Sequence, residues 1–278
     1  MTVEQLFPLP SRSLPLKGLY LKHELHRMGG DSGKAFVYAD FVTSLDGRIG
    51  VPGSVNQELV IPKEILNPRD WRLFHELAVQ ADVILSTGRY LRQYAQGEAQ
   101  DIISSLKEPH FADLIDWRIA QGMNPKPALG VISASLDFPL PEEIWENYKE
   151  VLVFTGQKTD LVRIRQLQKK NVKVIFPEKN GEFDGGRLIS ILSELGYRSV
   201  HVTTGPKIFR LLLAASVVDR LYLTIVLRLL GTQNYASIVE GELLVPPFDL
   251  KLYELYYDRH AFNGVGQIFS SYDKYLGI

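Results

Sequence analysis

Short apolar runs recur along this chain between stretches of helical spacing, and that alternation limits its fold more than any other feature. The runs are DVILST (82–87), ALGVIS (128–133) and VLVFT (151–155), and VKVIF (172–176) and SVHVT (199–203) read as strands beside them. Continuous apolar runs of this length suit strands buried on both faces, as in a parallel sheet covered by helices. Ala35 to Thr43 reads as a further buried strand. Helical spacing is read over Pro62 to Ala78, where Pro68 and Asp70 open the stretch and Trp71, Phe74, Leu77 and Ala78 share a face. It is read again over Leu161 to Lys170, Leu188 to Leu195 and Lys207 to Ala215, and a helical insertion is expected through 94–123. The chain ends differently, with strands at Asp219 to Val226, Leu250 to Tyr257 and Gln267 to Tyr272 and no long helix between them. The expected class is therefore α/β, a mostly parallel central sheet with an antiparallel C-terminal edge and helices on both faces.

With 278 residues and no internal repeat or charge block, residues 35–278 read as one domain, preceded by an arm over 1–34. The arm carries Pro8, Pro10, Pro15 and the loop Gly29 to Gly33, with a short helical piece near Leu21 to Met28, and its order depends on docking. A net charge of −1 gives no field to attract nucleic acid or an anionic membrane. The absence of cysteine excludes disulfides, thiolate metal sites and a cysteine nucleophile. The start lacks the basic-then-apolar pattern of a signal peptide, and no apolar run nears the ~20 residues that span a bilayer. A cytoplasmic protein is the expectation.

The common phosphate, serine-hydrolase and zinc-protease signatures are missing. Thr155 to Thr159 reads as a connecting turn, and His23 and His26 have no third partner that would make them metal ligands. Three turns at strand ends are more informative, because open α/β sheets place ligands at the carboxyl ends of their strands. Ser44 and Asp46 lie in TSLDGRI (43–49), where Asp46 can also simply cap its own turn. Thr87, Gly88 and Arg89 follow the strand at 82–87, and a helix start beside an arginine suits a phosphate. Thr204, Gly205 and Pro206 join a strand to a helix; glycine permits close backbone approach and proline suits the first helical turn. Ser133 and Ser135 form a weaker fourth set.

At these residues the chain resembles the reductase domain of riboflavin biosynthesis, a family that shares its fold with dihydrofolate reductase. The resemblance runs from about Ala35 to the C-terminus. It rests on SLDGRI (44–49), on DVILSTGR (82–89), and on Gly205-Pro206 followed by an apolar helix, Val218 to Leu221, and LYLTIVLRLLG (221–231). It implies a dihydrofolate-reductase-like sheet and an NADPH-dependent reduction at the ribosyl C1′ of a pyrimidine ribonucleotide, in a homodimer. It places the cofactor's pyrophosphate at Thr204, Gly205 and Pro206. Its adenosine and 2′-phosphate fall to Thr87, Gly88, Arg89, Ser133 and Ser135. Ser44 and Asp40 would meet the substrate, and Asp46 is the acidic group nominated to supply a proton.

The departures are specific. Asp40 stands where the family has a lysine, and Thr203, Thr204 and Gly205 replace a glutamate and a double glycine. The family's Arg-Ala-Asp-Asp-Pro stretch and its deaminase domain are absent. A non-catalytic ligand-binding protein on the same fold is the alternative reading. A dihydrofolate reductase is disfavoured because that family's Trp-Pro and acidic substrate helix are not recognisable.

Overall fold

A computed structural model of the chain describes residues 1–30, 33–53, 58–100, 102 and 108–277. In chain order the strands are β1 (Thr2–Phe7), β2 (Arg12–Pro15), β3 (Phe36–Ser44), β4 (Val51–Pro52), β5 (Leu59–Val60), β6 (Val83–Thr87), β7 (Ala128–Ile132) and β8 (Val151–Phe154). They continue as β9 (Lys173–Ile175), β10 (Glu178–Lys179), β11 (Glu182–Phe183), β12 (Ser199–Val202), β13 (Arg220–Val226), β14 (Leu250–Asp258) and β15 (Gln267–Lys274). The helices are α1 (Pro68–Ala78), α2 (Gly88–Ala95), α3 (Ala112–Ala120), α4 (Glu143–Asn147), α5 (Leu161–Lys169), α6 (Gly185–Glu194) and α7 (Pro206–Ala214). Each expected strand and helix outside the arm and the insertion is present within a few residues of its expected bounds. Of the insertion, α3 is described, while residues 101 and 103–107 lie outside the described residues. So do Asp31 and Ser32 of the glycine loop.

The chain packs as two compact units. One holds Met1–His23, Val37–Leu77 and the chain from Gly205 onward; the other holds Glu24–Phe36 and Ala78–Thr204. In the first unit the strand order is β2-β1-β14-β15-β13-β3. Only β13 and β3 run parallel there, and the rest form the expected antiparallel edge. Helices cover both faces. Tyr38 donates its hydroxyl to the Leu77 carbonyl of α1 at 2.9 Å, and Phe41, on the opposite face of β3, meets Phe209 of α7 at 4.9 Å between ring centres.

β1 pairs with β14 and β2 with β1, so the first residues add two strands to the sheet. Their inward positions include Gln5, 2 % exposed, a polar residue that hides the strand from an apolar-run reading. At the end of this segment His23 is buried between Tyr222 and Glu254, at 2.7 Å from each. Burial lowers the His23 pKa, and a neutral ring can donate Nε2–H to the Glu254 carboxylate while Nδ1 accepts from Tyr222. Lys22 adds a 2.8 Å contact to the same carboxylate.

In the second unit β12-β6-β7-β8-β9 are all parallel. Every residue of β7, β8 and β12 is buried; β7 and β8 read as unbroken apolar runs, while β12 also buries Ser199 and His201. Polar anchors set the ends. The Asp82 carboxylate accepts from the Arg198 and Ser199 amides at 2.8 and 3.3 Å, and the Leu85 carbonyl accepts from the Thr203 amide at 2.8 Å. Here His26 packs edge-on against Trp117 of α3. From α3, Arg118 is only 1 % exposed and aims its guanidinium at main-chain carbonyls. It donates to Val79 and Ala81 at 2.7 Å each and to Asn124 at 2.5 Å. Removing it leaves buried acceptors without donors, so Arg118→Ala is expected to cost about 3 kcal/mol in urea unfolding, against little for a surface arginine such as Arg165.

Candidate active site

The turn after β3 is built from its own side chains. Gly47 takes φ 81°, a conformation that favours glycine, and its amide reaches the Ser44 carbonyl at 2.9 Å. Ser44, 1 % exposed, donates its hydroxyl to Asp46 at 2.5 Å and accepts from the Arg48 amide at 3.0 Å. The other Asp46 oxygen accepts from the amides of Leu230 and Gly231 at 3.1 and 2.9 Å and pairs with Arg48 at 2.8 Å. Two motifs distant in sequence, SLDGRI and the Leu-Leu-Gly after β13, therefore meet through one carboxylate. Burial alone would raise the Asp46 pKa. The donors from Ser44, Gly231 and Leu230, together with Arg48, outweigh it and hold the group at about 2. In this arrangement Asp46 anchors the turn.

Asp40 lies on β3 four residues before Ser44, on the same face by strand alternation, and is half-buried. Its register partner on β13 is Tyr222, and Thr224 is the partner of Val42. The first turn of α1 carries Asp70, whose pKa burial raises to about 7, with Thr224 acting to lower it and the Asp40 charge to raise it. In the sequence Asp70 is legible only as a helix-opening residue; no local motif marks it as part of a site.

On the second unit, Thr87 ends β6 and caps α2, its hydroxyl accepting from the Tyr90 amide at 3.2 Å. Gly88 opens the helix in close packing. A Cβ there would stand 2.7 Å from the Phe138 ring and 2.8 Å from the Ser133 hydroxyl, so only glycine fits without a shift. Ser133 caps its own turn by accepting from the Leu136 amide at 3.1 Å, and Ser135 does the same for Asp137 at 3.3 Å. Arg89 is exposed on α2. The structure thus brings Gly88 and Ser133 together and leaves Ser135 in a surface turn.

Two hydroxyls at the carboxyl ends of adjacent strands stand apart from these satisfied groups. Ser86 on β6 and Thr204 just beyond β12 are 0 % and 4 % exposed, and neither side-chain oxygen has a hydrogen-bond partner among the described residues. Buried hydroxyls without partners are uncommon and need an explanation, an unseen ligand or water being the usual one. Gly205 follows at the N-cap of α7 and Pro206 at its first position. Gly205 has φ −71°, which any residue adopts, and a Cβ would meet nothing within 4 Å. Its glycine thus serves neither backbone conformation nor packing within the chain.

Asp46→Ala would strip acceptors from the Leu230 and Gly231 amides, at an expected cost of about 2 kcal/mol in chemical denaturation. Because the folded pKa is depressed, the carboxylate's contribution is complete above its usual value of 3.8 and is lost as pH falls towards about 2. Asp46→Asn is expected to flatten that acid limb of the stability profile.

The pattern of the RibD C-terminal domain matches residues 35–258. No curated protein matches the chain significantly. Among solved structures, a pyrimidine reductase-like protein from Corynebacterium diphtheriae superposes with a TM-score of 0.66 at 20% identity, over 87% of this chain and 93% of that one. The riboflavin biosynthesis reductase Rib7 of Saccharomyces cerevisiae gives 0.56 at 16% identity, over 93% of this chain and 99% of its own. RibD of Acinetobacter baumannii gives 0.58 at 14% identity, over 88% of this chain but 59% of its own length. At these identities the superpositions speak for the fold, and the sequence match speaks for descent: the chain belongs to the RibD C-terminal domain family.

Proposed function

We propose that this protein is an NADPH-dependent reductase acting at the ribosyl C1′ of a pyrimidine ribonucleotide-like substrate. The observation that carries the reading is the pair of buried hydroxyls of Ser86 and Thr204 at the ends of β6 and β12, without a hydrogen-bond partner among the described residues, in a chain of a reductase family. Such groups fit a ligand that supplies phosphate or ribose oxygens. In this proposal the turn Thr204, Gly205 and Pro206 receives the pyrophosphate, and the open space at Gly205 is room for close approach. Thr87, Gly88 and Ser133 line the adenosine side, with Ser135 at its margin, and Arg89 provides a charge partner for the 2′-phosphate. Ser44 and Asp40 serve the substrate. When bound, the reduced nicotinamide supplies the hydride.

The same chain keeps an acidic residue, Asp40, where its family has a lysine, and this favours a second reading: a protein that binds the dinucleotide without reducing anything. Binding and turnover separate the two. Purified protein is expected to bind NADPH roughly 10- to 100-fold more tightly than NADH by calorimetry, with Arg89→Ala removing most of the difference. Equal or absent binding of both would overturn the cofactor assignment. Tight binding with no oxidation by any aminopyrimidine ribonucleotide would favour the second reading.

We also propose a homodimer. On the face of the antiparallel sheet opposite Glu254 and Tyr256, Leu223, Ile225, Leu255, Ile268 and Tyr272 are half-exposed, apolar positions that suit a second copy of the chain. Light scattering at micromolar concentration is expected to give twice the chain mass, and Ile268→Lys to halve it; a wild-type monomer would end this proposal.

A further inference from the structure

The buried and half-buried arginines of the first unit direct their charge at carboxylates, with one exception. Arg48 pairs with Asp46, Arg69 with Asp258, Arg72 with Glu76, Arg210 with Glu242 and Arg220 with Asp273. Arg228 is also half-buried, yet it reaches no carboxylate among the described residues. A cation drawn partly out of water ordinarily has a counter-charge, and here the chain supplies none.

Placement gives this arginine a use. It lies just past β13, and its carbonyl accepts from the Leu45 amide at 2.8 Å, so its backbone borders Ser44 at the carboxyl end of β3. Its side chain reaches the segment that leads into α1, where Nη1 donates to the Glu64 carbonyl at 2.8 Å. The Phe262 ring centre stands 4.2 Å from the guanidinium carbon. Phe262 belongs to the turn joining β14 to β15 and holds φ 50°, followed by Asn263 at 56° and Gly264 at 101°. Left-handed backbone at a phenylalanine is strained, and such strain is kept where a side chain must be held in place. Glu64 and Phe262, distant in sequence, thus converge on one guanidinium. The aromatic contact uses none of its N–H donors, and the carbonyl uses Nη1 alone. Nε and Nη2 have no hydrogen-bond partner among the described residues. Those two nitrogens form one edge of the fork, the kind of edge that grips a phosphate through paired N–H bonds.

We propose that Arg228 binds the substrate's 5′-phosphate and sets a preference for a ribonucleotide over a ribonucleoside. That the phosphate is the substrate's rests on the reductase reading above. The substrate residues assigned there, Ser44 and Asp40, offer no positive charge, and Arg48 is committed to Asp46. A phosphate at the carboxyl ends of β3 and β13 therefore needs another cation. Arg228 is already ordered at that place, so binding costs little rotamer freedom.

The test uses ribose 5-phosphate and ribose as probes, beside NADPH. By calorimetry the wild type is expected to bind ribose 5-phosphate and to show no binding of ribose at the same concentration. Arg228→Ala should weaken ribose 5-phosphate about 10- to 100-fold and leave NADPH affinity unchanged. Arg228→Lys keeps the charge without the fork and should recover part of the loss. In turnover, Arg228→Ala should raise KM for an aminopyrimidine ribonucleotide with kcat little changed, and leave the matching ribonucleoside unaffected; a merely structural role would move both alike. A wild type that binds both probes equally, or neither, overturns the proposal even if the variants fail to fold. So does an Arg228→Ala protein that keeps its preference, or one that loses NADPH and not ribose 5-phosphate. An Arg228-dependent preference for ribose 5-phosphate in a protein that binds no NADPH supports the phosphate site and overturns the reductase reading.

Discussion

The shape of the candidate substrate face depends on one carboxylate. β3 and β13 are parallel neighbours, and the chain leaves both at the same edge, Ser44 on one and Val226 on the other. Parallel pairing says nothing about where the departing segments go. Asp46 decides it by binding the amides of Leu230 and Gly231 while holding Ser44 from its own turn. Several charge-assisted hydrogen bonds to one group fix both loops without a hydrophobic core beneath them. Everything assigned to the substrate on this unit sits just inside that clasp.

The charges behind the clasp follow an economy of desolvation. A carboxylate removed from water needs a cation or several donors, and most here have them. His23 and Lys22 serve Glu254, and in doing so fasten the arm to β13 and β14.

What could be read in the sequence follows from the same physics. β7 and β8 are buried on both faces, so each writes a continuous apolar run and each was legible. β1 and β2 were not, because β1 buries a glutamine and β2 carries no buried residue. Among site residues, SLDGRI was legible as a turn, and the structure explains its composition residue by residue. The meeting of Asp46 with Leu230 and Gly231 was not, since a backbone amide has no letter in the sequence. Asp70 was visible as a helix-opening residue and nothing more. Ser86 and Thr204 differ from Thr87 and Ser133 only in lacking a local amide to bind, which no spacing rule reveals.

The guanidinium of Arg118, aimed at the carbonyls of Val79, Ala81 and Asn124, has a bearing on how such a fold diverges. It grips atoms that every residue type offers. Asp82 does likewise with the amides of Arg198 and Ser199, and Glu76 with those of Gly18 and Tyr20. In each case one side chain is constrained while the identities of the residues it holds are free to drift. A scaffold fastened in this asymmetric way can exchange most of its letters and keep its shape, as the 20% identity beside a TM-score of 0.66 illustrates.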